Sequence, residues 1–252
     1  MKRMTITLLT ILLISPLGPA FAIDRLAIPP AMSNLPPKIA APAATDWTAC
    51  RNAATAGIAR AIAGWQQQAL LKAVVVNGPE ASGGTVSGPA LQPLMEQTML
   101  ASGISSTMAR AFAAPLSTAW AQWAASLRVP ERSNWYPSFA CYPGPIAGAT
   151  PNVPMPLGAL SGNWSALSAE QLKKSIRQAL GPKAQEPQAA AAIDGFADDF
   201  ARRFTLYLTN VKVSNVIGSG RVPTFAAPLI NCGPVEAGSA NMQPGGFTGT
   251  WP

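Results

Sequence analysis

From Ser87 onward the chain runs through one order of segments twice, and that repetition constrains its architecture more than any other feature. Ser87, Leu91, Met95 and Met99 are spaced as a short amphipathic helix with a hydroxyl cap. Ser168, Leu172, Ile176 and Leu180 repeat the pattern 81 positions later. The second copy adds Gln171, three residues after Ser168, which makes a capping box, and it stops at Gly181-Pro182. A longer apolar stripe follows each short helix. The first is Met108, Phe112, Leu116, Trp120, Trp123 and Leu127, with Pro115 as a kink or break; the second is Phe196, Phe200, Phe204, Tyr207, Leu208 and Val211.

Each long helix leads into a Pro/Gly-rich tail. Pro137-Ser138-Phe139-Ala140 is echoed 86 positions on by Pro223-Thr224-Phe225-Ala226, and Asn152 by Asn241 at a spacing of 89. Internal duplication is the reading adopted, and a repeated habit of Pro/Gly punctuation after helices is its competitor. Two copies are too few for a solenoid, so a pseudo-twofold pair on a shared core is expected.

Ahead of the repeat, Trp47, Cys50, Ala54, Ile58, Ile62 and Trp65 form one stripe of a helix capped by Thr45 or Asp46. It fades near Lys72. Val74-Val75-Val76 reads as its end or as a short strand, and Gly78, Gly83, Gly84 and Gly88 read as a flexible loop. The expected fold is therefore mainly α. One long N-terminal helix and two similar helical hairpins form a bundle, crossed by extended tails whose backbone groups stay free to bond another chain. The expected segments are a signal peptide (1–22), a Pro/Ala-rich extended arm (23–45), the N-terminal helix and Gly-rich loop (46–85), the first hairpin with its tail (86–156), the second (157–244) and a flexible C-terminus (245–252).

The start of the chain reads as a cleavable export signal. Lys2 and Arg3 precede an uncharged run from Thr5 to Ile14, and Ala20-Phe21-Ala22 gives the small-x-small cleavage pattern. The run is short of the roughly 20 residues a membrane span requires. This style of signal predicts a Gram-negative periplasm or the exterior. Removing Lys2 and Arg3 lowers the net charge from +7 to +5.

The chain has no histidine, which removes Ser-His-Asp and Cys-His nucleophile systems and histidine metal sites together. No cofactor or metal site is expected. Asp198-Asp199, four residues before Arg202-Arg203, reads as helical salt bridging. Lys173, Lys174 and Arg177 read as a solvated face, so no nucleic acid partner is expected. Charged residues make up only 12% of the chain, against about 25% in ordinary globular domains. Burial in a larger assembly and a plain Ala-rich helical protein both fit that figure.

Three cysteines allow three single pairings. If the two tails meet about a local twofold axis, Cys141 and Cys232 join and Cys50 remains a buried thiol. The leading functional expectation is a non-enzymatic structural or adaptor subunit of a cell-envelope or extracellular assembly. Its interaction candidates are Phe139, Phe225, Phe247 and Trp251, and its partners are other proteins or further copies of itself. Two readings compete. One is a carboxylate-based glycan-cleaving enzyme drawing on Glu80, Glu96, Glu131 or Glu170, among which no spacing picks a pair. The other is interfacial membrane contact through the uncharged stretch 111–127.

Overall fold

Residues 44–252 are described by a computed structural model of the chain. The expected signal peptide, and the arm apart from its last two residues, lie outside them. Five α-helices carry the apolar stripes: α1 (Trp47–Gln68), α2 (Gln92–Ala101), α3 (Ser106–Ser126), α4 (Ala169–Leu180) and α5 (Ala189–Asn210). Side-chain caps start α1, α3 and α4, whereas α2 and α5 have none; the expected cap Ser87 is the last residue of a strand, and α2 begins five residues later behind Leu91, with Pro93 in its first turn. Asp46 accepts from the Ala49 N–H at 2.9 Å, and Ser105 and Ser168 accept from Met108 and Gln171 at 3.5 and 3.4 Å. Gly181, at φ 56°, ends α4 in a conformation that glycine adopts without strain.

The helices close a ring, with α1 against α2 and α5, α3 against α2 and α4, and α4 against α5. Aromatic side chains fill its centre. Trp120 and Trp123 lie 4.6 Å apart, Trp123 meets Phe204 at 5.0 Å, and Trp65 meets Trp120 edge-on at 5.3 Å. A buried tryptophan takes about 150–250 Å² out of water, worth roughly 4–6 kcal/mol at about 25 cal/mol per Å². This centre is the main store of hydrophobic stabilisation.

The second half of the architecture corrects the mainly helical expectation. About 49% of the structure is helical and 24% is strand. The strands are β1 (Leu70–Asn77), β2 (Glu80–Ser87), β3 (Val129–Arg132), β4 (Ile146–Pro151), β5 (Met155–Pro156), β6 (Lys212–Val213), β7 (Val216–Arg221), β8 (Glu236–Met242) and β9 (Phe247–Thr248). Six of them form an antiparallel sheet in the order β3-β2-β1-β8-β7-β4, and β5-β6-β9 form a second, three-stranded sheet. The fold is thus mixed α and β.

Three expectations change with it. The Gly-rich loop is strand β2, paired with β1 from Leu70↔Ser87 to Asn77↔Glu80. Ala73 and Gly84, opposite each other, interrupt that ladder at positive φ, and the freed Ala73 N–H is taken up by Asn241 Oδ1 at 3.0 Å. The Pro/Gly tails are not free straps, because β7 and β8 are paired on both sides in the main sheet and β4 is paired with β7 along its edge. Where β7 and β8 meet, glycine is required for close approach: a Cβ on Gly220 would lie 2.7 Å from Gly238 Cα, and one on Gly238 would lie 2.8 Å from Ser219 O. The segment 245–252 contributes β9, and its aromatics pack on the helices.

Candidate functional site

The sheet's far end, away from the helices, is built around the two tails. A short 3₁₀ turn, Pro137–Ala140, delivers Cys141 to Cys232, and the two form an intramolecular disulfide. Next to it, the Tyr142 N–H donates to Gly233 O at 2.7 Å and the Gly233 N–H donates back at 3.1 Å. The Val222 N–H donates to Pro145 O and the Val235 N–H to Phe139 O, both at 2.9 Å. Every strand of the loop's base is therefore tied down.

Beyond that base the chain turns outward. Ala226 and Ile230 exchange backbone hydrogen bonds at 3.2 and 2.7 Å, closing a small hairpin over Ala227, Pro228 and Leu229. All residues from Ala226 to Asn231 are exposed, and Leu229 reaches 92%. No charged side chain occurs between Val222 and Val235. Ile146, at the start of the neighbouring strand β4, adds a second exposed aliphatic group at 66%. Leu229 and Ile146 are the two most exposed large hydrophobic side chains among the described residues.

The sheet's edges are, by contrast, closed to added strands. Edge strand β3 carries Pro130, Glu131 and Arg132, and edge strand β4 ends in Pro151 and has irregular register between Ala147 and Thr150. Proline, charge and bulges are the devices that block edge-to-edge pairing.

The four expected interaction aromatics are not brought together. Phe139 is fully buried, stacked on Tyr136 at 5.1 Å, and Phe247 is 3% exposed against Trp65 at 5.1 Å. Trp251 is half-buried between Phe200 and Tyr207, at 5.4 and 5.3 Å, and Phe225 is half-buried at the base of the exposed loop. Aromatic side chains with a core in reach enter it, since burial outweighs exposure by kilocalories. The signal that sequence reasoning missed was the uncharged apolar run Ala226–Ile230 beside a paired cysteine.

A second concavity of about 950 Å³ runs between α1 and α5, past Arg51, Thr55, Asp198, Asp199, Arg202 and Arg203. Asp198 pairs with Lys173 at 2.8 Å, and Asp199 takes both Arg202 and Arg203. Burial raises the Asp199 pKa, but the hydrogen bonds and charges of Arg203 and Arg202 together outweigh it and hold the carboxyl below its ordinary value. The Lys173 ammonium is pushed up, chiefly by its hydrogen bond to Asp198. Both carboxylates are thus committed to cations. Glu80 and Glu131 lie exposed on the neighbouring strands β2 and β3, Glu96 lies on α2 and Glu170 on α4, and none of them lines this groove.

Cys50 is a buried free thiol, pushed up to about 11 by desolvation and, secondarily, by Asp46. Among the described residues no cluster of metal-ligating side chains is found, and no helix is long and apolar enough to cross a membrane. The uncharged stretch 111–127 is largely α3, which turns Phe112, Leu116, Trp120 and Trp123 into the ring's centre. A scan against protein-family models, a search of curated proteins and a search of solved structures each return no match.

Proposed function

We propose that this protein is a non-catalytic structural or adaptor subunit of an extracytoplasmic assembly in a Gram-negative envelope, and that it docks through the loop Ala226–Asn231. One observation carries the reading: an uncharged, fully exposed aliphatic tip stands on a base cross-linked by Cys141–Cys232. An exposed apolar tip costs solubility unless something covers it, and a rigid base lowers the entropy lost on docking. The export part rests on the basic start, the short apolar run and the Ala20-Phe21-Ala22 cleavage pattern. A disulfide fits that address, since such bonds persist in oxidising compartments.

The test is site-specific photo-crosslinking in intact cells, with the photoreactive residue at position 229 or, as a control, at exposed Leu206 on α5. A discrete protein adduct from position 229 and none from position 206 supports docking through the loop. Equal labelling at both positions, or none at either, removes the loop as a docking element.

A further inference from the structure

The concavity between α1 and α5 does not end at its aspartates. At Ala59 and Trp251 it meets a second one, of about 530 Å³, which runs on to Gln66 and Gln67. Each volume falls within the range of about 300–1,000 Å³ found for ligand sites. Together they make one open trough along α1, and from Arg51 to Gln66 it spans about 22 Å at about 1.5 Å per residue. Small residues on α1, Ala56, Ala59 and Ala63, set its depth.

Three side chains along the trough hold unused binding capacity. Arg51, at one end, pairs with no carboxylate among the described residues. Its guanidinium lies over α5, where a Cβ on Gly195 would come within 3.3 Å of Nη1. Trp251, in the middle, stacks on Phe200 at 5.4 Å, is only partly buried, and lines both concavities. Gln66, at the other end, is 6% exposed and donates from Nε2 to Gly249 O at 3.2 Å. Its Oε1 takes no hydrogen bond from the described residues and is open to the trough. A nearly buried amide oxygen with no protein donor is a place for a donor from outside the chain.

From this order of groups we infer that the trough binds an acidic oligosaccharide. A carboxylate of the ligand pairs with Arg51, whose planar fork matches it. A sugar ring lays its C–H face on Trp251, because weakly positive C–H groups meet the negative face of the indole. Ring hydroxyls donate to Gln66 Oε1 and reach the exposed Thr250 hydroxyl. The net charge of +5 without Lys2 and Arg3 steers an anionic ligand to the chain. A peptide is served less well. The backbones of α1 and α5 are bonded within their helices, which leaves an extended peptide little to pair with, and an alanine floor lacks the apolar pockets that a docked helix fills. The trough binds without cleaving: Asp198 and Asp199 are both paired to cations, whereas cleavage requires one carboxyl held protonated.

The test is isothermal titration calorimetry of the chain without residues 1–22 against oligogalacturonate, a galactose oligomer of the same length, and oligoglutamate. Oligogalacturonate should bind, and the galactose oligomer should bind about tenfold more weakly for want of the charge-assisted pair. Arg51→Gln, a substitution at an exposed residue, should leave circular dichroism unchanged, weaken oligogalacturonate about tenfold and leave the galactose oligomer where it was. Trp251→Ala should weaken both sugars. No binding of either sugar, equal binding of both, or undiminished binding by Arg51→Gln would each overturn the inference. Tighter binding of oligoglutamate than of oligogalacturonate would overturn it in favour of an acidic peptide. None of these outcomes bears on the loop Ala226–Asn231, whose crosslinking test is independent.

Discussion

The two tails that follow the helix pairs read alike and end in different surroundings. Pro137-Ser138-Phe139-Ala140 is an exposed 3₁₀ turn that sends its phenylalanine alone into the core, while Pro223-Thr224-Phe225-Ala226 leads onto the exposed loop. Strand β4 of the first tail is an edge strand, whereas β8 of the second lies between β1 and β7. Asn152 is buried and its side chain makes three hydrogen bonds: it donates to Val153 O and Val213 O at 2.9 and 3.1 Å and accepts from the Val216 N–H at 2.9 Å. Asn241, its counterpart in sequence, is exposed and accepts a single bond from Ala73. The difference teaches that a local motif sets a turn or a polar anchor, and that the available neighbours set what it is worth.

The largest expected break of this pairing is at the phenylalanines. Phe139→Ala should cost about 4 kcal/mol, as for other fully buried aromatic truncations, and Phe225→Ala about 1 kcal/mol. Urea unfolding of both variants measures the gap, and equal losses would erase the distinction between the tails. Next comes the bond that joins them. Replacing Cys141 and Cys232 by serine opens a link across 91 residues and should cost about 3 kcal/mol, read as a lowered Tm. The loop tip should then become the first site of limited proteolysis.

A smaller effect sharpens the comparison of the asparagines. Asn152→Ala strands the Val216 N–H among buried groups and should cost about 2 kcal/mol, against about 0.5 kcal/mol for Asn241→Ala. Smallest is the cysteine outside both tails. The folded-state pKa of Cys50 is raised to about 11, so its contribution to stability is intact below about pH 9 and is lost as pH climbs towards 11. Wild type should lose about 1 kcal/mol more than Cys50→Ala between pH 8 and pH 10. Native protein at pH 8 should also resist iodoacetamide at Cys50 until it is unfolded, as read by mass spectrometry.

The helices were legible because each carries its own instructions. Trp47 through Trp65 repeat at helical steps behind Asp46, and the stripes of α3 and α5 name the residues that fill the ring. The Asp198/Asp199 and Arg202/Arg203 spacing gave away helical ion pairing, although Asp198 turned to Lys173 instead. The strands were not legible. Val216-Ile217-Gly218-Ser219-Gly220-Arg221 and Glu236-Ala237-Gly238-Ser239-Ala240 lack the β-branched alternation that marks a strand, since glycine and alanine are there to let backbones approach. The candidate surfaces were hidden for a related reason: Leu229 and the trough along α1 are defined by what fails to cover them.

The sequence by itself determined the helical stripes, the caps at Asp46 and Ser168 though not the one expected at Ser87, the absence of histidine chemistry and a cysteine in each tail. These are properties of residues a few positions apart, or of composition. Only the tertiary structure decided that the tails become sheet, that Phe139 and Phe247 belong to the core, and that Ala226–Asn231 projects from it. Strand β1 pairs with β8 across more than 160 positions, and a backbone hydrogen bond carries no side-chain label. Exposure likewise belongs to the finished packing, because a leucine stands in water only when every neighbour that might have buried it has been used elsewhere.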